Sequence, residues 1–280
     1  MKQVIITGLD SYKKISDVLS TNKAKTVLLV RGHKSFANLP VNKYLMALPY
    51  KFISFSDFHP NPDYESVIKG VELLKSYNCD FIIAVGGGST IDVAKCIRCF
   101  TPMDLSTNCL QQGYVPFNVP LLVMPTTAGT GSESTHFAVL YYQGQKKSVS
   151  HASLLPNYVI LDHGNLKELP LYQKKAAFFD ALSQAIESWW SKNATVESIE
   201  YSKKAIELLK PNLAAYLQGN DISASNVMQG ANLAGKAINI TTTTAPHAMS
   251  YKLTSLYGIA HGHSVALCLP RVWKIMCEQS

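Results

Sequence analysis

At 280 residues and 47% hydrophobic, the chain can bury one large core or two moderate ones, which excludes a disordered protein. Charged side chains make up only 16%, and 26 Lys and Arg against 19 Asp and Glu leave a net charge of +7 that is scattered rather than massed in an arm or a helix face. This pattern argues against nucleic acid as a partner and for a small anionic ligand.

Six cysteines, Cys79, Cys96, Cys99, Cys109, Cys268 and Cys277, follow neither zinc-ribbon nor secreted-framework spacing and read as reduced thiols. No apolar run approaches a membrane span, and the first residues are too short a stretch for a signal peptide. The expectation is a cytoplasmic protein with no membrane contact.

In chain order, 4–6 reads as a short β-branched strand and 11–19 as a helix with Ile15, Val18 and Leu19 on one face. Residues 26–30 form a continuous apolar run, the mark of a buried parallel strand, and 51–55 a weaker one. A helix follows over 64–77, then a buried strand at 81–85, three glycines, and a helix at 90–99. Strands are expected at 121–124 and 158–161, with a hairpin of 138–142 and 148–151 around Gly144. From about residue 171 the pattern becomes helical, over 174–191, 198–217 and 223–238, and 272–277 reads as the start of another helix. The expected fold is α/β: a Rossmann-like parallel sheet domain over 1–166, then an all-helical metal and substrate domain over 167–280 that looks cut short.

Two loops follow strands of that sheet. Gly86-Gly87-Gly88-Ser89 leads into a helix, so that backbone N–H groups can approach a pyrophosphate at the helix N-terminus. The second, from Pro125 to Glu133, is rich in hydroxyls and glycines suited to ribose, phosphate or carboxamide. In the helical half, Asp180 and Gln184 share a helix face, Glu187 lies within a turn of Gln184, and His247, His261 and His263 lie further on. Carboxylate with imidazole suits Fe2+ or Zn2+ and leaves positions open for substrate.

Together these segments resemble the iron-containing alcohol dehydrogenase superfamily over essentially the whole chain: Asn61-Pro62, Gly86-Gly87-Gly88-Ser89 with Asp92 and Lys95, the stretch Pro125–Glu133, Asp180-Ala181-Leu182 with Glu187, then His247 and His261-Gly262. The resemblance implies hydride transfer between NAD(P)H and a small aldehyde or alcohol, the metal acting as a Lewis acid. It places the cofactor on Gly32, Lys34, Asn61, Gly86, Gly87, Gly88, Ser89, Asp92, Thr126, Thr127, Thr130, Ser132 and Lys147. It places the metal on Asp180, Gln184, His247 and His261.

Two positions depart from the family pattern. Gln184 stands where a histidine is common, a neutral and weaker donor, and Tyr251 stands where a second histidine would relay a proton, which leaves Tyr251 or water as the candidates for that task. The texture of 181–188 and 246–254 resembles the branch that reduces phosphonoacetaldehyde. After the strand at 26–30, Gly32 with His33, Lys34 and Ser35 replaces the acidic residue that binds the 2′-hydroxyl of NAD, which favours NADP(H) over NAD(H). A non-catalytic nucleotide-binding relative with part of its metal site lost is the alternative. Members of the family commonly form homodimers.

Overall fold

The computed structural model describes residues 3–33, 36–115 and 117–279. Lys34 and Ser35, two of the residues on which the cofactor expectation rests, lie outside that set. The chain divides into two compact units. One comprises the chain up to Thr126 together with Thr135–Asp162, and the other Thr127–Ser134 with the chain from His163 onward.

The first unit is built on a parallel sheet. Its strands are β1 (Val4–Thr7), β2 (Thr26–Arg31), β3 (Lys51–Phe55), β4 (Phe81–Gly86), β5 (Leu121–Pro125) and, later in the chain, β8 (Tyr158–Leu161). Among the described residues the sheet has six strands in the order β1-β8-β5-β4-β2-β3. Every residue of β4 and β5 is buried, as their unbroken apolar runs require of central strands. Helices α1 (Ile15–Thr21), α2 (Pro40–Met46), α3 (Tyr64–Ser76) and α4 (Gly88–Phe100) make the crossovers. One core gathers Val27, Leu29, Phe81, Ile83, Val85, Leu122 and Met124 from the sheet with Ile15, Leu19, Val41 and Leu45 from α1 and α2. Strands β6 (Phe137–Tyr142) and β7 (Gln145–Ser150) pair antiparallel as a separate hairpin.

The second unit carries no strand among the described residues. Its helices are α5 (Leu171–Trp190), α6 (Val196–Leu209), α7 (Leu213–Leu217), α8 (Asp221–Thr241), α9 (Ala245–Tyr257) and α10 (His261–Gln279). Helix α5 packs against α6, α8 and α10, and α9 lies on α10. The single helix expected over 198–217 is broken at Lys210–Asn212 into a 3-10 turn, because Pro211 has no N–H to continue the α ladder. Residues 272–277 belong to the body of α10, whose first residue is His261. No helix among the described residues is long and apolar enough to cross a membrane.

Candidate active site and metal centre

In the first unit the strand ends align. The register pairs Arg31 with Val85 and Gly86 with Pro125, so the loops that leave β2, β4 and β5 begin side by side at the carboxyl edge of the sheet. Gly32 N–H donates to Val85 O at 3.1 Å and Thr126 N–H to Gly86 O at 3.0 Å, which extends the ladder one step past each strand. A Cβ at position 86 would lie 2.6 Å from Thr90 Cβ, so only glycine lets β4 turn into α4 this tightly. The helix then starts at Gly88 with Gly87 as N-cap and no side chain closing its first amides, a geometry open to an anion. Asn61, with φ of 59°, donates its N–H to Ser89 Oγ at 3.3 Å and so joins the same edge.

Asp92 and Lys95, further along α4, reach the residues around β6. Asp92 Oδ2 accepts Val139 N–H at 3.0 Å, and the fully buried Lys95 donates to the carbonyls of Thr135 and Phe137. Both side chains thereby hold the start of the β6–β7 hairpin. Lys147 sits on β7 with Nζ donating to Gln145 Oε1 at 3.1 Å.

The loop Thr127–Ser134 is part of the second unit although it falls between β5 and β6 in the chain. Its glycines explain how. A Cβ on Gly129 would meet Ala177 O of α5 at 2.7 Å, and one on Gly131, whose φ is +64°, would meet Gly235 Cα of α8 at 2.5 Å. Asn232 Nδ2 on α8 donates to Glu133 Oε1 at 3.1 Å and to Ser134 Oγ at 2.6 Å, which pins the far end of the loop. Ser132 is buried, Thr130 is exposed, and Ser132 N–H donates to Thr130 Oγ1 at 3.3 Å.

Three residues of the second unit converge: Asp180 from α5, His247 from the first turn of α9 and His261 from the start of α10. One ligand atom of each lies within 4.8 Å of the others. His247 Nε2 is 3.2 Å and His261 Nε2 3.9 Å from Asp180 Oδ1. Gln184, one turn after Asp180, donates from Nε2 to the same Oδ1 at 3.3 Å and to Thr130 O at 3.2 Å. Asp180, Gln184 and His247 are buried, while His261 is half-buried and marks the open side. Tyr251 is exposed, and its ring is stacked parallel to that of His261, centroids 5.8 Å apart. His263 turns away from this cluster to Tyr172, with Nδ1 3.1 Å from the phenol oxygen.

Behind the cluster stands Glu187, 0% exposed. One carboxylate oxygen pairs with His247 Nδ1, and the other accepts Thr244 N–H at 2.6 Å and Thr244 Oγ1–H at 2.8 Å. Trp190 Nε1 donates to the same Thr244 hydroxyl at 2.9 Å. The sequence reading noted Glu187 but not Thr244, although a threonine ahead of Ala245-Pro246 is an N-cap signal. Gly262, noted in the sequence only as the neighbour of His261, has a packing role: a Cβ there would lie 2.8 Å from Asp180 Cβ and closer still to Ala176 O, so a glycine lets α10 bring His261 to α5.

Electrostatics follow from this packing. Burial alone would raise the Asp180 carboxyl pKa, but the His247 hydrogen bond, the nearby imidazoles and the Gln184 amide hold it below the ordinary value. Burial likewise pulls His247 down, yet Asp180 and Glu187 outweigh it and lift the imidazole to about 9. An imidazole and carboxylate cluster closed by an acid on its far side has the donor set of a transition-metal site, with His247 held at its outer nitrogen by Glu187.

Residues 3–163 match the family model of iron-containing alcohol dehydrogenases, and 175–280 match that of the C-terminal part of the Fe-containing alcohol dehydrogenase family. The chain belongs to the iron-containing alcohol dehydrogenase family. It is 33% identical over 234 residues to long-chain-alcohol dehydrogenase 1 of Geobacillus thermodenitrificans, covering 80% of this chain and 58% of that protein. It therefore spans less than two thirds of that relative's length. The NAD-dependent methanol dehydrogenase of Bacillus methanolicus is 29% identical over 276 residues, covering 95% of this chain and 72% of that one. Among solved structures, sulfoacetaldehyde reductase of Bifidobacterium kashiwanohense in complex with NAD+ superposes with a TM-score of 0.92 at 27% identity, covering 98% of this chain and 75% of that one. The parallel sheet followed by helices is the architecture of this iron-containing dehydrogenase family.

Proposed function

We propose that this chain transfers hydride between NADP(H) and a small aldehyde or alcohol at a divalent metal centre. The observation that carries the reading is the convergence of Asp180, His247 and His261 from three helices. The residues fit an ion: two imidazole nitrogens and one carboxylate oxygen already face one another, and Glu187 leaves Nε2 of His247 as the nitrogen turned toward Asp180. Asp180, His247 and His261 would hold Fe2+ or Zn2+, and Gln184, the fourth member of the sequence-derived set, contributes its amide to the same cluster. Bound there, the ion supplies Lewis acidity toward the substrate oxygen, and the nicotinamide supplies or accepts the hydride.

The protein's own groups do the rest. Gly86, Gly87, Gly88 and Ser89 offer amides and a hydroxyl to the pyrophosphate, with Asn61 beside them. Thr126, Thr127, Thr130 and Ser132 offer hydroxyls to the ribose and nicotinamide part. Tyr251, stacked on His261, presents a phenol as the proton donor that a second histidine would otherwise provide.

For the dinucleotide, Gly32 leaves room for a 2′-phosphate where an acid would repel it. The named relatives that specify a nucleotide point to NAD, so a kcat/KM higher with NADH than with NADPH overturns this part of the reading. For the substrate, phosphonoacetaldehyde is a two-carbon aldehyde with a tetrahedral anionic group, the class to which the substrate named for the sulfoacetaldehyde reductase also belongs. Its charge suits the net +7 of the chain.

The deciding experiment pairs metal content after chelator-free purification with NADPH and NADH oxidation against a panel of small aldehydes that includes phosphonoacetaldehyde. Near-stoichiometric iron or zinc with turnover is the expected result. Bound nucleotide with neither metal nor turnover points instead to a non-catalytic relative.

A pH dependence follows from His247. An ion must displace its proton, so Zn2+ affinity should rise about tenfold per pH unit between about pH 6 and 8. In the metal-free chain the sign reverses. The charged imidazole stabilises the fold fully below its ordinary value of 6.5, and that contribution fades as the pH climbs through about 9. Zn2+ titrations against a competing chelator, and melts with excess chelator, check both. A flat affinity over that range contradicts the assignment.

A further inference from the structure

We propose that Gln184 is a tether rather than a ligand, joining the metal ligand Asp180 to the loop Thr127–Ser134 so that the loop responds to the cation. The proposal rests on the metal-centre reading above and concerns a residue at which this chain departs from its family pattern.

The amide of Gln184 has one donating and one accepting end. Its Nε2 lies 3.2 Å from Thr130 O and 3.3 Å from Asp180 Oδ1, and both of those atoms can only accept. Turning the amide over would set Oε1 against a carbonyl and a carboxylate at once, so the hydrogen-bond network fixes the orientation. The N–H end, which cannot bind a cation, therefore faces the ligand cluster. Oε1 lies beside Gly131, where a Cβ on that glycine would come within 3.3 Å of it, and it is buried with no hydrogen-bond partner among the described residues.

The loop end of the tether is equally well defined. Gly129 and Gly131 seat the backbone directly on α5 and α8, and Thr130 between them keeps its side chain exposed while its carbonyl is delivered to Gln184. Asp180 Oδ1 is meanwhile the atom that His247 and His261 share. A cation that pins Asp180 fixes Gln184 through one N–H, and Gln184 fixes Thr130 through the other. Metal uptake thus slows opening of the loop.

The test uses the full chain with Co2+ as the probe, followed by its visible absorption and by hydrogen exchange of the loop amides. In the natural chain Co2+ should slow exchange over residues 128–134 at least about fivefold. In Gln184→Met the Co2+ spectrum should be that of the natural chain and affinity should fall about tenfold. Loop exchange in that variant should no longer respond to Co2+. Gln184→His, which adds a nitrogen able to coordinate, should shift the spectrum.

A spectrum in Gln184→Met that has lost a ligand, or a loop that still slows with Co2+ in that variant, overturns the proposal. Should Gln184→Met fail to fold, the exchange response of the natural chain and the spectral shift of Gln184→His decide it, and absence of either overturns it. A natural chain that takes up no Co2+ at all removes the metal-centre reading along with the tether.

Discussion

An Asp180→Ala chain is expected to retain no stoichiometric iron or zinc and to lose turnover by about a thousandfold, the equivalent of about 4 kcal/mol of Lewis-acid assistance. The size of the effect follows from the geometry. Oδ1 of Asp180 lies 3.2 Å from His247 Nε2, 3.9 Å from His261 Nε2 and 3.3 Å from Gln184 Nε2. Alanine removes the anionic ligand and leaves two imidazoles and an amide donor facing one another in a buried space. The metal-free protein should also melt lower, because the charged His247 keeps only Glu187, and breaking one side of a buried ion pair costs roughly 3–5 kcal/mol. Metal analysis, NADPH oxidation and melts with and without chelator measure all three consequences. Full metal content with natural turnover would place the centre elsewhere in the chain. Asp180→Asn separates charge from shape: it keeps an oxygen for the ion but supplies no charge to hold His247 protonated.

Much of the sheet is legible in the sequence because its central strands are buried on both faces, and a run such as Phe81-Ile82-Ile83-Ala84-Val85 admits few other readings. Helix α2 escapes the same reading because its seven residues bury only Val41 and Leu45, too few to establish a period. Helix α9 escapes for a different reason. Its buried positions are Pro246, His247 and Ser250, so the face it turns inward is the polar face of the site and carries no hydrophobic stripe. The three candidate ligands could be picked out as residue types, but nothing in their spacing says that α9 and α10 meet α5 at Asp180. That meeting depends on Gly262, whose missing side chain is an ordinary glycine until its neighbour Ala176 is known. The same holds for Gly129, Gly131 and Gly235: the first two read as part of a loop suited to a cofactor and the third as a helical glycine, and the packing reveals the loop fastened to α5 and α8. Amide orientation at Gln184 is further still from the sequence, being fixed by Thr130 O and Asp180 Oδ1.

Glu187 is the residue whose loss should be felt furthest from its own position. A Glu187→Leu substitution keeps the volume but leaves Thr244 N–H, Thr244 Oγ1–H and His247 Nδ1 without their acceptor. Each unsatisfied buried donor costs about 1–3 kcal/mol, so a total loss of roughly 3 kcal/mol or more is expected in a denaturant melt of the metal-free protein. The chemical effect is separate from the structural one. Glu187 holds His247 by Nδ1, so Nε2 is the nitrogen presented to Asp180; without it the ring can rotate or change tautomer, and metal affinity should fall by about 10–100-fold. Removing one of the two carboxylates that raise His247 also lowers its pKa from about 9, so the rise of metal affinity with pH should level off earlier in the variant than in the natural chain. That shift separates an electrostatic and orienting role from simple packing, which would leave the pH profile in place. Glu187→Gln, which keeps an accepting oxygen for Thr244, should restore most of the stability while its pH profile remains that of the leucine variant. A leucine variant that binds Zn2+ within about twofold of the natural chain, with an unmoved profile, would show that His247 is oriented by something other than Glu187.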